Sequence, residues 1–345
     1  MKDLFLYRNG LKKMAKQIQG TEKVHIGIRP LGFHAGNKMA LLVYPYLLCE
    51  EFEKTERRPA FQFFISLNDF EPNELKYLEK SPRGKFFYKK ISAYGDNEPT
   101  YGSNIFCEET SIGNIPDHNG CCPTIVDHYE KVIQREVDDL FSNRFPSVKF
   151  RFVRNSELLS NIIFQKYLKL SIENPDEIAK IIQSSTNQAV LTDQAHYAGA
   201  VCPSCKKADG KTLLADENKI EFNCHSCGKV SNGGFEDFDY WIYHKPLLIP
   251  RLLIFKIDLC IRGGDHYQAG NVNVTSALLK RFEPGFNIPM TLITPVIVDE
   301  FGRKLSKSYG NTIDIPTRQL LDFARKANAP AFGTTQILGT TMKNS

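Results

Sequence analysis

Lys304-Leu305-Ser306-Lys307-Ser308-Tyr309-Gly310-Asn311 alternates two lysines with two serines just after an apolar run, residues 291–298. That run reads as a buried strand. Gly302 breaks the chain between strand and lysines, and Gly310 breaks it again beyond them. A loop with two ammonium groups and two hydroxyls suits the holding of a polyphosphate while its charge redistributes. A solvated basic loop has the same composition, so the stretch takes its meaning from a partner far upstream. That partner is Pro30-Leu31-Gly32-Phe33-His34-Ala35-Gly36-Asn37. It follows the strand-like residues 24–28 and opens a helix whose apolar positions are Met39, Leu42, Val43, Tyr46 and Leu47. Helix N-termini offer free N–H groups to anions, and His34 and Asn37 can add donors there. Gly36 leaves room for a flat base against the backbone, where a β-carbon would intrude.

Working outward, residues 60–67 are rich in Phe and Ile and read as the next buried strand. Strand, helix, strand at this spacing predicts a βαβ unit with parallel pairing and a right-handed crossover. Pro45 is expected to kink or shorten the helix between them. Further helices are expected over residues 124–141, 156–170, 175–183, 274–282 and 316–327, and a strand over 148–153. Residues 1–20 read as a small amphipathic helix, and 81–122 as a flap or insertion punctuated by glycine and proline. Gly263-Gly264-Asp265-His266 stands between an apolar segment and a helix. That is the expected carboxyl end of a sheet strand, where open α/β sheets bind ligands. Asp265 can accept there from both ribose hydroxyls of a nucleotide; in a plain glycine turn it would be an N-cap.

Cys202-Pro203-Ser204-Cys205 and Cys224-His225-Ser226-Cys227 form two C-x2-C turns with eighteen residues between them. Two such turns present four thiolates to one tetrahedral zinc, and four thiolates leave no open position, so the ion would be structural. The other cysteines, Cys49, Cys107, Cys121, Cys122 and Cys260, read as reduced thiols. The 345 residues are 42% apolar and 24% charged, with a net charge of +5. This predicts a folded protein with more than one packed unit, compatible with a polyphosphate or nucleic-acid partner. No run approaches membrane-spanning length, no signal-peptide core is present, and the cytoplasm is the expected compartment.

The two phosphate-type motifs, in this order, resemble the signature motifs of class I aminoacyl-tRNA synthetases, H-x-G-H (or H-x-G-N) and K-M-S-K-S. The similarity is greatest to the class I lysyl-tRNA synthetases. Their G-I-[ST]-P-S-G-x-x-H-x-G-N stands here as Gly27-Ile28-Arg29-Pro30-Leu31-Gly32-Phe33-His34-Ala35-Gly36-Asn37. Their G-x-D-H stands as Gly263, Asp265 and His266, and their K-M-S-x-S-K-G-N as Lys304, Ser306, Ser308, Gly310 and Asn311. The stretch Pro116-Asp117 through Gly120-Cys121 and the cysteine knuckle also resemble that family.

The resemblance implies an α/β fold: a Rossmann-like parallel sheet with an inserted α/β connective region and a zinc knuckle. Residues 1–100 would form the first half of the nucleotide-binding domain and 101–235 the insertion, with the knuckle at 202–230. Residues 236–315 would form the second half and 316–345 a short helical tail. It implies catalysis by His34, Asn37, Lys304 and Lys307. ATP with Mg2+ would lie against Gly36, Gly264, Asp265, His266, Ser306 and Ser308, and the amino acid near Gly27 and Arg29. The reaction implied is formation of an aminoacyl-adenylate and transfer to a tRNA acceptor end. Transfer to a small molecule or carrier protein, and a non-catalytic RNA-binding role, are the alternatives. The chain ends about thirty-five residues past the lysine loop, so anticodon reading is not expected within it. Arg29 replaces a small hydroxyl residue of the family, the glycine turn is one residue shorter, and residues 253–258 replace a tryptophan-rich stretch. A guanidinium repels an ammonium and suits a carboxylate. The amino acid, lysine or an analogue by resemblance, is therefore expected on charge grounds to differ from lysine.

Overall fold

A computed structural model describes residues 4–30, 32–71, 111–117, 120–185, 198–207, 210–216, 219–242, 244–305 and 313–342. The chain opens with strand β1 (Leu4–Leu6) and helix α1 (Tyr7–Ala15), then β2 (Lys23–Ile28). Helix α2 (Ala35–Lys38) runs through a wide π turn, Met39–Val43, into α3 (Tyr44–Glu53). Pro45 has no N–H to give and crowds the preceding turn, and the widened turn accommodates it. The expected kink is thus a local widening, and the helix continues to Glu53. Strand β3 (Gln62–Leu67), helix α4 (Ile125–Phe141) and strand β4 (Lys149–Arg154) follow. Thr124 and Asp127 cap α4 reciprocally: Asp127 N donates to Thr124 Oγ1 and Thr124 N donates to Asp127 Oδ2, a capping box.

Helices α5 (Ile162–Glu173) and α6 (Pro175–Ser185) lead to the short strands β5 (Ala198–Val201), β6 (Gly210–Asp216), β7 (Lys219–Cys224), β8 (Val230–Gly234) and β9 (Asp239–Ile242). Next come α7 (His244–Phe255), β10 (Leu259–Gly263), α8 (Gly264–Gln268), α9 (Asn271–Phe282), β11 (Met290–Thr294) and β12 (Val296–Val298). The described chain closes with α10 (Thr317–Lys326), β13 (Ala331–Gly333) and α11 (Thr334–Met342).

Six strands form one sheet in the order β1-β11-β10-β2-β3-β4, and every pairing in it is parallel. Side chains alternate between its faces, as pleating requires. Val24, Ile26, Phe63, Ile65 and Ile261 pack in one core with Leu11, Leu47 and Phe141 of α1, α3 and α4. Phe64 and Cys260 face the other core, with Phe164, Leu252 and Leu278 of α5, α7 and α9. The result is three layers, helices on both faces of a parallel sheet. From β2 the order runs outward to β3 and β4; from β10 it runs the other way to β11. The carboxyl ends of β2 and β10 therefore flank the point where the direction reverses, which is where such sheets bind ligands.

The insertion is antiparallel: β5 pairs with β9, and β6-β7-β8 form a three-stranded sheet. Strand β4 lies within the expected insertion, residues 101–235, yet pairs with β3 in the main sheet. The antiparallel part begins later and reaches Ile242.

Candidate active site

The first turn leaves β2 and enters α2. His34 is the N-cap, with extended backbone (φ −91°, ψ 172°), and its Nδ1 accepts from Gly36 N at 3.2 Å. That bond places the imidazole proton on Nε2. Asn37 Nδ2 donates to Gly32 O at 2.8 Å and closes the turn. A β-carbon at Gly36 would come within 3.2 Å of His34 Cε1, so the glycine keeps the cap geometry open. Lys38 follows, buried, with Nζ 2.8 Å from Asp314 Oδ1, 3.3 Å from Ile315 O and 3.6 Å from Glu136 Oε1. It fastens the start of the helix to the chain just beyond the lysine loop.

The second turn joins β10 to α8. A β-carbon at Gly264 would stand 2.7 Å from Thr294 O and 2.9 Å from Val296 Cγ2. Only glycine lets α8 sit this close to the neighbouring strand. Asp265 Oδ2 accepts from Lys304 Nζ at 2.5 Å. Burial alone would raise the Asp265 carboxyl; His266 and Lys304 outweigh it and bring the group down to about 2. His266 Nδ1 lies 3.0 Å from Asn271 Nδ2.

The third element is the stem of the lysine loop. Lys304 bridges Val298 in antiparallel fashion, and Leu305 N donates to Ile297 O at 2.8 Å. Asp299 organises the turn between them. Its Oδ1 accepts from Phe301 N at 3.0 Å and from Arg303 N at 2.8 Å, and Gly302 takes the left-handed φ of 75°. Lys304 therefore stands on a pinned stem. Ser306, Lys307 and Ser308 lie outside the described residues, as does Leu31 of the first turn.

His34, Gly36, Asn37, Gly264's neighbour Asp265, His266 and Lys304 line a single cavity, and Gly264 braces it from behind. Positions about 270 residues apart in sequence thus meet at the switch point. Asp265 is the single carboxylate among the described residues of the wall, and it faces Lys304. The Asn271 Oδ1 on the same wall is buried with no partner among the described residues. The wall thus sets a lysine and a carboxylate, paired with each other, beside an amide oxygen that could accept a donor. Gly27 also lines the cavity; its missing β-carbon would meet only His25 Cε1, at 3.5 Å, so the glycine exposes backbone rather than relieving a clash. Arg29 is not in the described wall. It pairs with Glu71, whose side chain is almost wholly buried.

Sequence reasoning missed the deeper wall, His25, Asn68, Arg251 and Arg262. His25 Nε2 is 2.9 Å from Ser66 Oγ; burial, then Arg251 and Arg262, hold its imidazole well below the usual range and hence neutral. An arginine in the apolar run Leu247-Leu248-Ile249-Pro250-Arg251-Leu252-Leu253 was the available signal.

Cys202, Cys205, Cys224 and Cys227 come together, with all four sulfurs within 4.8 Å of one another. The two turns are built alike. Lys206 N donates to Cys202 O and Gly228 N to Cys224 O, at 2.9 Å each, and both residues have left-handed φ, 58° and 70°. Four convergent thiols on paired turns fit one structural zinc. Among the other cysteines, the structure adds an unforeseen grouping: Asp117, Cys121, Cys122 and His128 also bring ligand-type atoms within 4.8 Å. The described cysteines are free thiols; Cys107 is outside the described residues. No described helix is long and apolar enough to cross a membrane.

A sequence search of curated proteins gave no match. Among solved structures, tyrosyl-tRNA synthetase from Archaeoglobus fulgidus, complexed with L-tyrosine, is 15% identical, with 88% of this chain and 64% of that one covered at a TM-score of 0.41. A putative arginyl tRNA synthetase from Campylobacter jejuni is 13% identical over 92% of this chain and 65% of its own, at a TM-score of 0.33. A Leishmania major tyrosyl-tRNA synthetase with tyrosinol is 11% identical over 88% and 31%, at 0.42. The chain spans less than two thirds of the length of each. The family described as tRNA synthetases class I (K) matches residues 96–327, about two thirds of the sequence. That span holds the four cysteines, the Gly263–His266 turn and the lysine loop. The chain belongs to the class I lysyl-tRNA synthetase family.

Proposed function

We propose that the cleft at the switch point joins ATP to an amino acid as an aminoacyl-adenylate and passes the acyl group to an acceptor, a tRNA 3′ end. The observation that carries this reading is the meeting of the His34 turn, the Gly263–Asp265 turn and the Lys304 stem on one cavity. In this reading the α2 N-terminus, His34 and Asn37 receive phosphate oxygens, Gly36 receives the base, and Asp265 takes the ribose hydroxyls. Gly264 and His266 shape that contact, and Ser306 and Ser308 add hydroxyls to the phosphates. Lys304 and Lys307 neutralise the β and γ phosphates as the amino-acid carboxylate attacks the α phosphorus and pyrophosphate leaves. Mg2+, bound through the phosphates, supplies further charge neutralisation. No covalent bond to the protein is required, since positioning and charge account for reactions of this kind.

Amino-acid-dependent ATP–pyrophosphate exchange tests the reading. Exchange is expected with one amino acid. Lys304→Ala should slow it on the order of a hundredfold, the loss typical of one electrostatic group in a transition state, with a smaller change in the KM for the amino acid. Absence of exchange with all twenty amino acids sinks the proposal. Stable charging of added tRNA separates a tRNA acceptor from a small-molecule or carrier-protein acceptor.

A further inference from the structure

We propose that the amino acid taken by this cleft carries a carboxylate on its side chain, and that Arg251 is the group that binds it. The inference rests on the activation chemistry above and adds its substrate class.

Arg251 stands on α7, 2% exposed, and lines the cavity. Among the described residues its guanidinium bonds only to Asn155 Oδ1, from Nε at 3.0 Å and from Nη2 at 2.6 Å. A neutral amide oxygen holds a guanidinium less strongly than a carboxylate does, and the bidentate carboxylate position of the fork is not taken by any described residue. Arg8 shows how this protein treats a buried arginine elsewhere: at 5% exposed, it sits 2.5 Å from Glu51 Oε1. Two acids act on Arg251 from nearby, Asp69 and Glu71, and offset part of its charge, but among the described residues neither bonds to it. Asp69 accepts from Asn155 N at 2.7 Å and Ser156 N at 3.2 Å, and Glu71 holds Arg29 and the Asn68 amide. Burial lowers the Arg251 guanidinium to about 10, with Glu71 and Asp69 opposing, so it stays charged at neutral pH.

Two further groups of the same wall agree. Arg262 donates from Nη1 to Asn271 O at 3.3 Å and to Thr275 Oγ1 at 3.0 Å, again with no carboxylate bonded to it among the described residues. Asn68 gives its Nδ2 to Glu71 Oε1 at 2.9 Å, and its Oδ1 is buried with no partner among the described residues. The wall thus presents two guanidinium groups bonded to no carboxylate among the described residues, and one amide oxygen with no donor among them. An amino acid with a second carboxylate supplies both: its carboxylates meet the guanidinium groups, where fork-to-carboxylate bonding is strong and directional, and its ammonium donates to Asn68. Lysine brings a second ammonium toward two fixed cations, and no carboxylate of the described wall other than Asp265, already held by Lys304, is there to receive it.

Calorimetric titration of the full chain, with a non-hydrolysable ATP analogue present, tests this with glutamate, glutamine, aspartate, asparagine and lysine. Acid and amide differ only in the side-chain charge. One acid is expected to bind at least tenfold tighter than its amide, with lysine weaker than both. R251M should erase the acid-over-amide preference, and R262M should weaken acid and amide alike or erase the preference too. Thermal melting checks that the variants fold; if R251M does not, the wild-type acid-to-amide ratio decides. Lysine binding tighter than either acid, equal binding of acid and amide, or no binding of any of the five overturns the inference. Acid binding without pyrophosphate exchange leaves it standing and removes the activation reading instead.

Discussion

At Gly264 an added β-carbon would press on the Thr294 carbonyl at 2.7 Å, and a backbone carbonyl in a parallel sheet cannot turn aside. Gly264→Ala should therefore cost ~1–3 kcal/mol, as overpacking does. Because Asp265 and His266 follow directly, it should also weaken ATP binding; urea unfolding and nucleotide titration read the two effects, and unchanged affinity would show that α8 is not the nucleotide contact. The Asp265–Lys304 pair works differently. Both side chains are more than a third exposed, so the pair contributes only ~0.2–1 kcal/mol to stability, and its use is to hold Lys304 in place. With its pKa depressed to about 2, its contribution is present above the unfolded value near 3.8 and fades only as pH falls toward 2. His25 has the opposite consequence near neutrality. Its folded pKa lies well below 6.5, through burial and then Arg251 and Arg262. Below pH 6.5 the unfolded chain binds a proton that the folded one refuses, so stability falls as pH drops, by up to ~1.4 kcal/mol per unit. His25→Gln should flatten this slope between pH 6.5 and 5 in denaturant titrations; an unaltered slope would assign the acid sensitivity to other groups.

Helices α1 and α3 meet through Arg8 and Glu51, side chains 7% and 8% exposed. Among the described residues Arg8 Nε and Nη1 have no partner, and Glu51 is the acid that pairs directly with the buried charge. Glu51→Ala should cost ~3–5 kcal/mol, while Arg8→Met with Glu51→Met should recover most of it, since an apolar pair replaces two buried ions at little cost. Unfolding midpoints of the two variants check this, and equal losses would show that packing, not charge, sets the cost. Elements with a local cause were legible. Strands β2 and β3 are apolar with β-branched and aromatic residues, and α4 carries both its period and its capping box in Thr124 and Asp127. Elements with a distant cause were not. Leu4–Leu6 falls within the helix expected over residues 1–20 and is instead a strand, because it pairs with residues 291–293. Residues 291–298 look like one strand, but Pro295 cannot donate to a ladder, so β12 leaves the main sheet and pairs with β13. Helix α7 contains Pro250, which hid its period.

Across the whole molecule, the two turns that meet at the switch-point cavity were legible because each is a motif, whereas the charge of the rest of its wall was not. Arg251, Asn155 and Asn68 come from three elements, and only folding brings them together. The two cores divide the cleft in the same way. Ala35, Met39 and Leu305, beside the phosphate-type turns, belong to the first core. Leu252, next to Arg251 on α7, belongs to the second, which is continuous with Cys202, Phe222 and Cys224 of the cysteine insertion. A metal held there is folding energy for the insertion, and its loss should propagate along the second core before it reaches the first. Cys205→Ser is therefore expected to remove one equivalent of zinc per chain by elemental analysis and to lower the melting temperature. It should also weaken amino-acid binding more than ATP binding, because α7 rests on the affected core and α2 does not. Dissociation constants for the two ligands, measured on the same preparation, give the answer: an equal loss of both would mean the cores unfold as one unit, and no loss of zinc would mean the four sulfurs do not share an ion.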